Sequence, residues 1–449
     1  MRIFWILFIG IGFTGIFFQT VQAQTTESLT VEESVERGLE YNFRLHAASA
    51  DAEAAEASHR MSRAARLPSI RTRASYMRLS DNIPSVDFII PGTETPVTLL
   101  PVELNQFYSE VSIEQPLFTG GRLNSQIDAA EHQAEASRLM EKQEQADVAF
   151  EIRQAYWNLY RALATREALE TAVTRVDEHL RDVRNRVEEG TALRTDLLNA
   201  ETRRSEVLLD RVDAQSQVRV ARLVLNRLIG LPSDTETEVI YPEGIGAVSY
   251  EMDNLVESAY EQQPGLLALS EQVSAHQAEV RAIQGGWLPE VSLVGRYIYA
   301  RPNQYFFAEQ DQFRGTWEAG VALRWNIWSG GQRLSETSRA KALLRSAEAG
   351  MAEMKNQINI EVARRYLELE RSAEALEVAA TGIGTAEEAF RSARMQYQQG
   401  VALAAQVLDA EDAYRSALAR YAAAVADQEI ARASIWNALG QIWGDHNEF

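Results

Sequence analysis

The sequence predicts an α+β membrane protein built as a tandem repeat, in which long coiled-coil helices alternate with two β-strand pairs. Three observations lead there: an internal repeat at a fixed offset, four alternating segments with aromatic ends, and two proline-free helical stretches, 122–189 and 332–399.

The repeat sets the frame. Thr119-Gly120-Gly121 recurs as Ser329-Gly330-Gly331, and the offset of 210 then holds without a gap to Gly230 and Gly440. Along it Glu151, Tyr156, Glu178, Gly190 and Ala200 are matched by Glu361, Tyr366, Glu388, Gly400 and Ala410. Upstream, Leu67-Pro68 matches Leu288-Pro289 at an offset of 221, so the halves differ by 11 residues between the Leu-Pro and Gly-Gly pairs. The repeats therefore span 24–240 and 241–449, each one supersecondary unit.

Each half opens with a helix, 28–66 or 249–287, that runs to the Leu-Pro. Proline there disfavours helix in the residue before it. Strands follow at 69–80 and 105–117, then at 290–300 and 315–328. In the first pair Ile70, Thr72, Ala74 and Tyr76 alternate with Arg71, Arg73 and Ser75. Phe107, Ser109, Val111 and Ile113 likewise oppose Tyr108, Glu110, Ser112 and Glu114. In the second, Val291, Leu293, Tyr297 and Tyr299 alternate with Ser292 and Arg296, and Trp317, Val321, Trp325 and Ile327 with Glu318, Arg324 and Asn326.

One apolar face with aromatic ends is the signature of a membrane barrel strand. The alternative is a pair of amphipathic hairpins on a soluble helical bundle. Four strands are too few for a membrane barrel, which needs about eight, so several copies must share one. The strand-connecting loops, 81–104 with Pro84, Pro91, Pro96 and Pro101, and 301–314, carry the length difference.

The long helices would reach roughly 100 Å at about 1.5 Å per residue. Leu169, Val173, Val176, Leu180, Val183 and Val187 follow the 4-3 spacing of a coiled coil, and Leu197, Ala200, Arg204, Val207, Arg211, Ala214, Val218, Ala221, Leu225 and Leu228 continue it on the returning helix. Helical hairpins over 122–230 and 332–440 result. The leading and returning helices together nearly equal the long one. An irregular belt is therefore expected at 231–248, with Pro242, Gly244 and Gly246, and at the C-terminal tail.

Location is read from the N-terminus. Arg2, the apolar run Ile3 to Phe18 and Val21-Gln22-Ala23 form a signal peptide over 1–23, leaving Gln24 first; a retained anchor is the alternative. No other run of 18 apolar residues exists, so further membrane insertion must be β. A net charge of -20 and a pI near 4.9 argue against nucleic acid and anionic lipid head groups as ligands. The absence of cysteine removes disulfides and thiolate metal sites.

Nothing points to an enzyme, a metal or a cofactor. His46, His59, His132, His179, His276 and His446 are scattered and are read as solvated. Gly382-Ile383-Gly384 falls inside a helix and is read as an irregularity, not a dinucleotide loop. The carboxylates lie at helix-surface spacing, where solvation is the default.

The hairpin turns say more. Gly190-Thr191-Ala192-Leu193-Arg194-Thr195-Asp196-Leu197 is echoed by Gly400-Val401-Ala402-Leu403-Ala404-Ala405-Gln406-Val407. Glycine suits a left-handed C-cap, Thr195 with Asp196 offers an N-cap, and Leu193 and Leu403 are expected to be exposed.

The order helix, Leu-Pro, two strands, Phe118-Thr119-Gly120-Gly121 or Trp328-Ser329-Gly330-Gly331, long helix and hairpin turn, twice over, resembles the TolC-like outer membrane efflux proteins, or outer membrane factors, across essentially the whole mature chain. The resemblance implies a homotrimer: a trimeric twelve-stranded β-barrel in outer-membrane lipid, continued by a twelve-helix periplasmic α-barrel. It implies a Gram-negative-type cell outer membrane, a periplasmic adaptor (membrane fusion) protein and an inner-membrane transporter. The adaptor would dock on Gly190, Thr191, Leu193, Leu197, Gly400, Val401, Leu403 and Val407. A periplasmic gate would use Asp409, Gln406, Tyr397 and Asp196. Gln406 stands where relatives often have a second aspartate, and Ala402 where some have an arginine. Asp409 is otherwise an ordinary exposed helix carboxylate. The implied function is an exit duct for small molecules. Alternatives are a type I protein-secretion duct and, in another class, a non-pore periplasmic scaffold or adhesin. Conductance favouring cations is expected from Glu110, Glu114 and the acidic helices.

Overall fold

The computed structural model describes residues 26–88, 91–92, 97–100, 102–241, 251–306 and 311–443. The expected signal peptide, Pro96, Pro101, Pro242, Gly244, Gly246 and His446 lie outside the described residues.

The repeat reappears as equal element lengths. The first half carries α1 (Val31–Tyr41), α2 (Phe43–Ala64), α3 (Arg122–Glu188) and α4 (Arg194–Leu228). The second carries α5 (Met252–Gln262), α6 (Pro264–Gly285), α7 (Gln332–Gln398) and α8 (Ala404–Ala438). The matched pairs have 11, 22, 67 and 35 residues in both halves. None of the described helices is long and apolar enough to cross a membrane.

The strands are β1 (Thr26–Leu29), β2 (Ser69–Arg78), β3 (Val86–Phe88), β4 (Val97–Leu100), β5 (Asn105–Phe118), β6 (Glu236–Val239), β7 (Glu290–Arg301) and β8 (Arg314–Arg324). The chain divides into two compact units. One comprises residues 39–151, 246–378 and 427 onward, the other residues up to 38, 152–245 and 379–426.

The first unit holds an antiparallel sheet in the order β2-β5-β7-β8. Its register joins the repeats through β5 and β7, with Val111 opposite Tyr297 and Ile113 opposite Gly295. In the same unit Leu255, Leu266, Ile358, Val362, Ile435 and Leu439 pack into a core from α5, α6, α7 and the end of α8. Full burial of one such side chain stabilises by about 1.5–3 kcal/mol. The turn from β5 into α3 is set by Gly120, at φ +64°, where a Cβ would lie 2.3 Å from the Gly285 carbonyl oxygen at the end of α6.

In the second unit Leu169, Ala172 and Val176 of α3 close on Val207 and Ala214 of α4, as the coiled-coil spacing anticipates. Here β1 pairs in parallel with β6. The Tyr156 hydroxyl donates toward Leu29 O (3.0 Å) and Ile240 O (2.6 Å), fixing that pair to α3.

Several expectations change. The leading helices are broken: Asn42 and Gln263 are extended, with ψ 121° and 114°, and each side chain caps the next helix. In the second half Pro264 enforces the break. The predicted β8 stops at Arg324 rather than 328, because its partner β7 begins at Glu290 and Pro289 has no N–H to extend the ladder. The Trp325 indole N–H donates instead to Trp287 O at 3.1 Å. The belt at 231–241 contains β6 and is not wholly irregular, while loop 81–104 contains the β3-β4 hairpin. Gly382 and Gly384 sit in uninterrupted helix, so the anticipated irregularity is absent there.

Candidate functional site

Two surfaces qualify, one in each unit. On the sheet, the register gathers the apolar alternates of all four strands on one side. Thr72 lies opposite Val111, Val111 opposite Tyr297, and Tyr297 opposite Trp317. The other side carries Arg71, Arg73, Glu110, Glu114, Glu290, Arg296, Arg314, Glu318 and Arg324. Arg296 and Glu318 pair at 3.0 Å. A single residue of slip would exchange the faces, so hydrophobicity pins the register. Both edge strands, β2 and β8, are almost wholly exposed and pair on one side only.

The second surface is built by the hairpin turns. After α3, Thr191 N–H donates to Arg186 O and Gly190 N–H to Val187 O; after α7, Val401 and Gly400 do the same to Gln396 and Tyr397. These bonds form two Schellman caps, and Gly190 and Gly400 supply the required positive φ, 79° and 77°. The N-cap differs from expectation. Leu193 occupies it, and the Asp196 carboxylate, three residues on, accepts the Leu193 N–H at 3.2 Å. Gln406 accepts the Leu403 N–H at 2.9 Å. An amide oxygen thus performs the same capping as the carboxylate one repeat earlier.

Behind the turns Val183, Tyr397, Ala404 and Val407 form a core, with Leu197 and Ala402 packed on it. Val407 and Leu197, expected to contact a partner, therefore serve packing. The exposed apolar side chains are Leu193 (69%), Val401 (76%) and Leu403 (71%). Asp409 is exposed. Tyr397 is buried, its ring 4.5 Å from the Arg186 guanidinium and 5.3 Å from the His179 ring.

Sequence reasoning missed two buried groups here. His179 is buried, not solvated; burial lowers its pKa, with Arg394 and Arg186 adding to the effect and Asp182 opposing it. Glu411 is 5% exposed, and burial pushes its carboxyl up to about 7 against the pull of Arg175, Arg203 and Arg415. Asp412 takes the charge contacts instead, with Arg203 and, at 2.5 Å, Arg415. The 4-3 spacing flags neither, since His179 and Glu411 stand beside Leu180 and Ala410 and not on the stripe itself. No group of three or more residues suited to a metal exists among the described residues.

A sheet with one apolar and one polar side, joined to paired long helices, defines the fold of an outer-membrane channel. The family model of the outer membrane efflux proteins matches residues 35–231 and 255–441, and the chain belongs to that family. It is 23% identical over 337 residues to the outer membrane efflux protein BepC of Brucella suis biovar 1 (strain 1330), covering 75% of this chain and 72% of that one. The fold is similar to that of the CmeC outer membrane channel of Campylobacter jejuni, with TM-score 0.77, 16% identity and coverage of 91% and 85%. It is also similar to the outer membrane protein VceC of Vibrio cholerae, with TM-score 0.74, 18% identity and coverage of 92% and 96%.

Proposed function

We propose that the protein is the outer-membrane exit duct of a tripartite efflux system, a homotrimer that passes small molecules outward. The observation that carries this is the unclosed sheet. Its strands alternate in direction and number four, so β8 of one copy meets β2 of the next antiparallel, and identical copies close a ring without a mismatch. The apolar side then faces lipid and the polar side a lumen.

The two glycine turns support the same closure. Gly120 rests on the end of α6, but its counterpart Gly330, at the same φ of +64°, has nothing within 4 Å. By the repeat, the missing neighbour is the end of α2, supplied by the adjacent copy.

In this reading Val401, Leu403, Leu193 and Thr191 present the surface for a periplasmic adaptor, which couples to an inner-membrane transporter. Asp409 projects toward its symmetry mates as a gate of three carboxylates, backed by Tyr397, while Asp196 and Gln406 hold the turns. Because three Asp409 charges repel, closure needs counter-ions or contacts elsewhere.

Conductance of the purified protein in planar lipid bilayers tests the proposal. Discrete openings are expected, less frequent in Asp409→Ala, which loses the mutual repulsion that opposes closure. Insertion into lipid with no conductance in either protein would reject the duct.

A further inference from the structure

Where the polar sheet side meets the starts of α3 and α7, three arginines line one cavity of about 330 Å³. Arg122 opens α3, Arg324 ends β8, and Arg333 lies in the first turn of α7. The cavity's carboxylates are Glu290 and Glu336. Its volume falls within the roughly 300–1,000 Å³ of ordinary small-molecule pockets.

The charges there are unevenly satisfied. Glu290 is held by Arg122, whose Nε lies at 3.0 Å, and Arg324 stands 3.9 Å from its other oxygen. Glu336 accepts from Gln332 at 2.7 Å. Arg333 has no carboxylate partner among the described residues; it donates to Asn326 O at 2.7 Å, and its guanidinium lies 5.8 Å from the Trp287 ring centre. Arg324 keeps a largely exposed side chain. Within one chain two guanidiniums are thus only partly engaged, although the chain's net charge is -20.

Ile283 and Leu288 give the same cavity an apolar wall. We propose that it is a transit site for organic monoanions, taking a carboxylate or sulfonate on Arg324 and Arg333 and the apolar body of the solute against Ile283 and Leu288. A carboxylate or a sulfonate offers two oxygens to the guanidinium fork, and the apolar wall favours a solute with an apolar body over a small hydrated ion such as chloride. The site rests on the exit-duct reading, since solutes leaving through the lumen would pass this side of the sheet. It reverses, for this segment, the cation preference inferred from overall charge.

The test is calorimetric titration of the purified full chain at low salt with naphthalene-2-sulfonate, 2-naphthol and trimethyl(2-naphthyl)ammonium. The sulfonate is expected to bind, and the neutral and cationic analogues to bind at least about tenfold more weakly. An Arg324→Gln/Arg333→Gln protein is expected to lose about tenfold or more in sulfonate affinity, and Arg324→Lys/Arg333→Lys, which keeps the charge but not the fork, to fall between it and the wild type. Arg122 is left in place so that Glu290 keeps its partner. Equal binding of all three probes, or unchanged sulfonate affinity in the glutamine variant, overturns the site. Bilayer conductance of the wild-type protein separates the two claims: a conducting protein that does not bind the sulfonate refutes the site alone. One that binds it but never conducts refutes the duct alone.

Discussion

Glu411 and His179 are buried in the same unit and respond to pH in opposite senses. Burial raises the Glu411 carboxyl from an ordinary 4.5 to about 7, so the fold favours its neutral form. The stability this lends is present below 4.5 and is lost as pH rises toward about 7. Glu411→Gln, neutral at every pH, is therefore expected to raise the melting temperature at pH 8 and to change it little at pH 4; thermal unfolding of the purified protein at both values checks this. His179 has its pKa lowered from 6.5, so the fold favours neutral imidazole and loses stability as pH falls through 6.5. His179→Gln is expected to flatten the decline in melting temperature between about pH 6.5 and pH 5. Neither effect could be read from the sequence, where both residues sit among charged neighbours on helices that look solvated.

At the scale of elements, the hairpin turns were legible and their chemistry was partly misread. Gly190 and Gly400 were placed correctly because a left-handed residue after a long helix nearly requires glycine. Asp196 was assigned to an N-cap with Thr195, yet the helix begins two residues earlier and Asp196 reaches back to Leu193. Gly400→Ala is expected to cost about 1–2 kcal/mol by forcing a Cβ into the left-handed region. Asp196→Ala and Gln406→Ala are each expected to cost about 1 kcal/mol through a lost cap. Hydrogen exchange at the Leu193 and Leu403 amides measures these losses locally. Breaks in the leading helices were missed because Asn42 and Gln263 act through caps whose value depends on where the following helix packs.

For the whole molecule, the prediction concerns closure. Cysteine is absent from the natural chain, so introduced pairs report without background. Thr72→Cys on β2, combined in separate proteins with Ala319→Cys, Val321→Cys or Leu323→Cys on β8, is expected to give covalently linked trimers in at least one register. Only monomers or dimers under oxidation would overturn the trimer. Gly330→Ala is expected to damage assembly as severely as Gly120→Ala, although only Gly120 has a neighbour within its own chain. Size-exclusion chromatography distinguishes this from a local turn defect, which would leave the oligomer intact.

What the sequence determined by itself is everything that follows from local sterics and periodicity: the tandem repeat, the hairpin glycines, the coiled-coil stripe and the two sides of each strand. Those features need only neighbours a few residues away. Tertiary structure alone decided which distant groups meet: β1 beside β6, Tyr156 beneath both, and Arg122, Arg324 and Arg333 around one cavity. Burial and charge compensation depend on segments tens or hundreds of residues apart, and periodicity within one helix carries no record of them. The charge of -20 is the clearest case, because an average over the chain says nothing about a side of a sheet where arginines outnumber glutamates.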